Sequence, residues 1–222
     1  FTLTVVLTLA LGIGANTAAF TLINTFLLNP LPVRDASRLV AMETVDNNKA
    51  AGEGRLLPVS YLNLKDFEER NQVFTHLTGY THPIPLTLSG GENSERIFAS
   101  LVTGNYFDTL GLRPVLGRFF GPDEDRVPGA NPVVVVGYTA WQQRFGGTSD
   151  IIGRAIRLNN TVVTILGVAP EGFKGITAVF GPDLWLPATM AEQFLPRHRR
   201  WSSSAADVQT HNALRHRGEL VF

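Results

Sequence analysis

The chain has no cysteine among its 222 residues, which excludes disulfides, thiolate zinc centres and a cysteine nucleophile. It also lacks net charge. Its 19 Lys and Arg balance 19 Asp and Glu, so no bulk field recruits nucleic acid or an acidic surface. Charge is missing altogether from residues 1–33, where Leu, Val, Ala, Ile and Phe dominate and Thr and Asn are the main polar visitors. Roughly 190 residues remain after this stretch, enough for one large domain or two small ones with real cores. There is no internal repeat and no low-complexity tract.

Three readings compete for the opening segment. A bilayer core is about 30 Å thick and a helix rises about 1.5 Å per residue, so residues 1–28 form a transmembrane helix with length to spare. Threonine hydroxyls would return to carbonyls one turn earlier. Gly12, Ala15 and Ala19 would let another helix approach, with Asn16 and Asn24 bonding between helices. The second reading takes residues 4–11 as a buried strand and Gly12-Ile13-Gly14-Ala15-Asn16-Thr17-Ala18 as a dinucleotide-binding turn, hence an enzyme. Thr17 stands at its third glycine position, and the helix after it shows no polar face. The third reading, a signal peptide, needs a shorter apolar run behind a basic start. The transmembrane helix fits best.

Pro30 and Pro32 close this helix. Residues 39–44 read as a short strand and 45–57 as a polar loop. Ser60 is placed to cap a helix over 61–71 with Leu62, Leu64 and Phe67 facing inward. Residues 77–88 read as a strand whose Pro83 and Pro85 suit an edge. Ile97, Ala99 and Leu101 alternate along a strand over 96–103. A short helix over 105–110 ends at Gly111, and residues 113–131 form a proline- and glycine-rich connection. Val133 to Val136 is the β-branched run of a strand covered on both faces. A helix over 139–145 stops at Gly146-Gly147. Strands over 155–158 and 161–168 flank an Asn159-Asn160 hairpin turn, and 183–186 makes a last strand. The fold class is α+β, mixed rather than all-helical.

Catalytic chemistry is sparse, and the expectation is no enzyme: no catalytic residue, no cofactor and no metal site. No G-x-S-x-G, H-E-x-x-H or phosphate-loop motif occurs. His76 and His82 read as ordinary histidines rather than ligands. Asp123-Glu124-Asp125 lacks the ligand alternation of a calcium loop and reads as a solvated turn. Asn159-Asn160-Thr161 matches a glycosylation sequon, which its turn position already explains. Trp141, Phe145 and Trp185 read as core. The arginines at 197, 199, 200, 215 and 217 read as a solvated tail.

Four blocks carry a family resemblance. They are Leu9-Ala10-Leu11-Gly12-Ile13-Gly14-Ala15-Asn16-Thr17-Ala18 with Asn29-Pro30-Leu31-Pro32, then Thr103-Gly104-Asn105-Tyr106-Phe107-Asp108-Thr109-Leu110-Gly111 with Pro114-Val115-Leu116-Gly117-Arg118. Trp141-Gln142-Gln143-Arg144-Phe145-Gly146-Gly147 and Gly167-Val168-Ala169-Pro170-Glu171-Gly172-Phe173 complete them. In order and spacing these resemble the MacB-type periplasmic core domain of ABC-transporter permeases, over residues 1–201. The resemblance implies a transmembrane helix at 1–29, then an extracytoplasmic core domain at 30–201 with a porter-like part and a variable second subdomain. Residues 202–222 depart from the pattern and read as a disordered or frame-shifted tail.

The functional expectation from the resemblance is a permease component of an ATP-driven export or mechanotransmission system in the inner membrane, its domain periplasmic. The implied partners are the bilayer, a cytoplasmic ABC ATPase, a second permease copy and other envelope proteins. An envelope scaffold without transport is the rival outside enzymology. The start at Phe1 and the lack of further apolar spans lead to the expectation of a fragment.

Overall fold

A computed structural model describes residues 2–23, 33, 38–42, 44–46, 55–57, 59, 61–90, 93–176, 181–195 and 220–221. They fall into two compact units, Phe1–Pro32 and Val33–Phe222.

The first unit holds α1, Thr2–Ile23, a single 22-residue helix without acidic or basic residues in its end turns. It is apolar all round, with Leu3, Val6, Leu9, Leu11, Ile13 and Phe20 all exposed. Thr8 donates to the carbonyls of Thr4 and Val5, Thr17 to Ile13 and Thr21 to Thr17, the back-bonding open to a mid-helix hydroxyl. The dinucleotide reading fails here. Its strand and its Gly12–Ala18 turn are both continuous helix, so no loop exists to cradle a pyrophosphate. Asn24 and residues 24–28 lie outside the described residues, as do Pro30 and Pro32.

The second unit opens with a small hairpin, β1 (Thr44–Asp46) against β2 (Arg55–Leu57), followed by α2, Tyr61–Arg70. The strand expected at 39–44 is displaced: Leu39 and Met42 drop single side chains onto separate apolar clusters instead of pairing. The segment expected as a polar loop supplies both hairpin strands. On α2, Leu64 is 1% exposed against Leu77, but Leu62 and Phe67 are exposed, because the cluster beneath is small. Ser60 lies outside the described residues.

The main sheet is a closed ring. β3 (Tyr80–Thr81) and β4 (Ile84–Gly90) are separated by a break at His82-Pro83, and β5 (Asn93–Val102) runs antiparallel to β4. After α3 (Tyr106–Thr109) and the short β6 (Leu116–Gly117) come β7 (Val133–Val136), α4 (Tyr138–Arg144), β8 (Ala155–Leu158) and β9 (Thr161–Val168). Then follow β10 (Leu184–Pro187), α5 (Ala191–Phe194) and β11 (Leu220–Val221), the last paired with β3. The order β10-β7-β9-β8-β4-β5 returns to β10, because Ala99 of β5 pairs with Ile84 on one side and Leu184 on the other. Closure removes the free edges that an open sheet would offer to other chains.

Alternation then sorts the side chains. Ile84, Leu86, Ile97, Ala99, Leu101, Val134, Val136, Ile156, Leu158, Val163, Ile165, Leu184 and Leu186 come from all six ring strands and form one buried cluster, the barrel interior. Val135 and Trp185 point the other way, into a second cluster with Tyr106, Phe107, Phe120 and Phe173. Both faces of β7 are therefore covered, as its β-branched run implies. Pro85 sits where β4 is unpartnered by β8, which reaches only Leu88 and Ser89, so its missing N–H breaks no ladder there. The expected hairpin at Asn159-Asn160 is present, Asn159 taking φ 52°. Gly146 and Gly147, at φ 72° and 65°, follow the C-terminal end of α4.

Two glycines hold β6 against β9. Gly117 and Gly167 face each other in register, and a Cβ on Gly167 would overlap the Arg118 carbonyl oxygen. Gly172 has φ +80° but open space around it. Gly167→Ala should therefore cost about 3 kcal/mol or more, a clash against backbone, while Gly172→Ala should cost only about 1–2 kcal/mol of left-handed strain. Urea unfolding of the two variants checks this, and equal losses would refute the packing argument.

Candidate functional site

The most connected polar locus lies where the end of β5 meets α3, the 120s loop, α2 and the turn after β10. Thr103 leads. Its hydroxyl donates to Asn105 Oδ1 at 2.8 Å and accepts from the Gly79 N–H at 3.0 Å. Having one proton, already given to Asn105, it must receive the Thr78 hydroxyl at 2.7 Å. Asn105 Nδ2 donates to the Leu77 carbonyl at 2.7 Å and to Glu68 of α2 at 3.4 Å. Two side chains thus tie the strand end to the segment arriving from α2.

Gly104 is there because nothing larger fits. A Cβ would stand 2.6 Å from the Gly121 carbonyl oxygen and 2.7 Å from Pro122 Cα. That approach brings the Gly104 N–H within 3.0 Å of Asp125 Oδ2. Asp125 Oδ1 accepts the Thr189 N–H at 2.9 Å, and the Tyr61 hydroxyl of α2 stands 3.5 Å from Oδ2. One carboxylate therefore joins three segments. Phe107 and Phe120, in edge-to-face contact at 5.5 Å, fill the apolar side of the same junction, and Phe107 meets Trp185 at 6.0 Å.

The acidic run is thus not the solvated turn expected. Asp123 is exposed and pairs with Arg126, but Glu124 accepts from the Gly121 N–H at 2.9 Å and pairs with Arg118 at 2.6 Å. Asp125 is 5% exposed. Burial pushes its carboxyl above the ordinary aspartate range, against the opposing pull of the Thr189 and Gly104 N–H groups and of Lys65. Partial burial opposes ionisation of Glu124 as well, but the Gly121 N–H and Arg118 outweigh it and hold that carboxyl below its usual range. Burial raises the Tyr61 phenol, and nearby Asp125 adds to the shift.

This locus is built for rigidity rather than chemistry. Asp125 spends both oxygens on backbone donors, and among the described residues no base faces a nucleophile across it. His76 and His82 are both exposed, one in the segment before β3 and one in the break after it, and neither joins the locus. Trp141 and Trp185 are core as expected, Trp141 Nε1 donating to the Thr148 carbonyl at 2.9 Å, whereas Phe145 is only half-buried. The late arginines 197, 199, 200, 215 and 217 lie outside the described residues. Sequence reasoning missed Asp125, whose partners are 21 and 64 residues away.

The model of the MacB-like periplasmic core domain matches residues 2–215. The chain belongs to that family. It is 26% identical over 175 residues to the macrolide export ATP-binding/permease protein MacB of Chlorobium phaeobacteroides, covering 77% of this chain and 25% of that protein. The Burkholderia cenocepacia protein of the same name is 32% identical over 95 residues, 41% of this chain and 14% of its own length. The chain thus spans a quarter or less of these curated relatives. Its fold is similar to the periplasmic region of MacB from Actinobacillus actinomycetemcomitans, with a TM-score of 0.53 and 14% identity over 82% of this chain and 86% of the other. It is also similar to the extracellular domain of the noncanonic ABC-type transporter YknZ from Gram-positive bacteria, at TM-score 0.50, 14% identity, and 73% and 88% coverage. An apolar N-terminal helix followed by a mixed α/β MacB-like domain is therefore the architecture. The Thr103–Gly111 block that carried the resemblance is the junction itself.

Asp125→Asn keeps the shape but turns one backbone-facing acceptor into a donor, so it should destabilise the domain by about 1–3 kcal/mol. Because the folded carboxyl is raised, the native state binds its proton more tightly than the unfolded chain does. The stability difference between wild type and Asp125→Asn should therefore widen as pH falls from the raised value towards the ordinary aspartate range. Denaturant titrations across that window check it, and a difference that shrinks there would overturn the burial argument.

Proposed function

We propose that this chain is the anchored extracytoplasmic part of an ABC-transporter permease. In this reading α1 crosses the inner membrane and residues 30–201 form a periplasmic domain that couples ATPase-driven helix motion to a substrate or envelope partner. Residues 202–222 form an atypical tail. The carrying observation is the pairing of two features within a MacB-like chain. One is a 22-residue helix with no charge and the hydroxyls of Thr8, Thr17 and Thr21 turned back on the backbone. The other is a closed, internally braced barrel. A coupling element must be stiff, and the Asp125 and Thr103 networks supply stiffness.

The partners in this proposal are the bilayer, a cytoplasmic ABC ATPase and a second permease copy. In this reading the domain does no bond chemistry of its own: its buried carboxylate serves backbone donors, and His76 and His82 are exposed and outside that network. Transport is distinguished from an envelope scaffold by recovery of a cognate ATPase with the full-length permease, which a scaffold has no need to bind.

Alkaline carbonate extraction should leave the chain in the membrane fraction, because α1 is apolar over a bilayer's width. Ala15→Arg should abolish export by the full-length permease, since a central Arg costs ~2.5–3.5 kcal/mol on insertion scales. His76→Ala, His82→Ala and Asp123→Ala should stay within about twofold of wild type, because exposed changes usually cost under ~0.5 kcal/mol. An export assay in a strain lacking the native permease reads all four. Release by carbonate, or loss of export from the histidine changes, would defeat the proposal.

A further inference from the structure

A groove of about 810 Å³ opens beside the exposed face of β8, away from the Asp125 junction. β8 alternates so that Ile156 and Leu158 enter the barrel while Ala155 and Arg157 face out. Arg157 is flanked in register by Ser89 of β4 and Val162 of β9. Ala155, two residues away on the same face, is small and leaves the depression open. Arg154 enters from the turn before β8, and Arg144 from the last turn of α4.

The charge on this groove is lopsided. Three arginines line it against one carboxylate, Glu95, although the chain as a whole has no net charge. That carboxylate is committed: Glu95 pairs with Arg144 at 2.5 Å. Asp183, just beyond the lining, stands 4.0 Å from Arg144 and accepts the Phe98 N–H. Arg154 and Arg157 are exposed and have no carboxylate partner among the described residues. Leu88, Phe145 and Val162 also line the groove, Val162 46% exposed and the other two half-buried against the barrel core.

We propose that this groove binds an organic anion that joins a phosphate or carboxylate to an apolar body. The two free guanidinium forks match the oxyanion, and Leu88, Phe145 and Val162 take the apolar part. The volume suits a small molecule, and the lining is mainly polar, with Val162 offering an exposed apolar contact. Arg144 acts as a fixed positive post, pinned by Glu95. The groove takes its lining from both faces of the β4–β8 edge of the barrel and from the end of α4, and ligand binding there is independent of transport.

The test uses the whole chain in an uncharged detergent, titrated by calorimetry with 1-naphthyl phosphate against a detergent blank. Inorganic phosphate and 1-naphthol are the two partial probes, and a poly-glutamate peptide stands for an acidic protein partner. 1-Naphthyl phosphate should bind at least about tenfold more tightly than either partial probe, since charge and apolar contact are both needed. The double variant Arg154→Ala/Arg157→Ala should weaken it by about tenfold or more, with an unchanged melting temperature because both side chains are exposed. Arg113→Ala/Arg126→Ala, which removes the same charge outside the groove, should leave binding unchanged. Equal weakening by the two double variants would reduce the effect to bulk charge and overturn the proposal. So would unchanged binding in the first variant, inorganic phosphate binding as tightly as the naphthyl ester, or binding of poly-glutamate alone.

Discussion

The structure depends on one strand pairing. β5 is the longest strand, and its final residues, Ala99 to Val102, lie parallel to Leu184–Pro187 of β10. Without that pairing the sheet would be an open ribbon with an apolar interior exposed at both ends. With it, alternate residues of six strands converge on a single core. The pairing is reinforced at its start, where the Asp183 N–H donates to the Phe98 carbonyl and Asp183 Oδ2 accepts the Phe98 N–H. Thr189 extends the reinforcement past the other end of β10, through Asp125. Closure and the buried acid are thus one construction: the carboxylate holds the turn that β10 leads into.

The second layer depends on the first. Only because β7 and β10 are adjacent do Val135 and Trp185 present a continuous outer surface to Phe107, Phe120 and Phe173. Phe173 stacks on Trp185 at 5.3 Å, and Phe119 stacks on Phe107 at 4.0 Å. At Gly104, between Thr103 and the α3 rings in sequence, backbone approaches the Gly121-Pro122 backbone too closely for any side chain. In the Thr103–Gly111 block the residues that carry the family resemblance are packing devices: a close-approach glycine, rings and a hydroxyl–amide relay. The groove beside β8 draws Arg144 from the Trp141–Gly147 block and Arg154 and Arg157 from the stretch between that block and the next.

Local signals in the sequence were legible and distant ones were not. The alternation of Ile97, Ala99 and Leu101, the β-branched run at Val133 to Val136 and the Asn159-Asn160 turn each record their structure within a few residues, because period and positive φ are local physics. The threonines of α1 likewise declared their backbone bonds. Asp125 did not, since a carboxylate in an acidic run looks solvated until its N–H partners arrive from elsewhere in the chain. Ring closure was hidden for the same reason. Phe67 misled because α2 covers a cluster narrower than its apolar stripe, and the β1–β2 hairpin because three-residue strands leave almost no period to read. Arg144, Arg154 and Arg157 fall within fourteen residues, but nothing local marks that they share a groove, which takes α4 and β8 in place.

The parallel partners at Phe98 and Asp183 are 85 residues apart, which sets an order of events for a growing chain. Until β10 has emerged, β5 and β7 each carry an unsatisfied row of backbone groups, and the apolar interior has no lid. Local pieces such as the β8–β9 hairpin can form early, but the ring cannot close on them. During synthesis the domain passes through an interval in which it is sticky at two strand edges at once. A polypeptide with this topology depends on prompt delivery of its last ring strand, and a stall between β9 and β10 is the point at which it is most vulnerable to pairing with a neighbour.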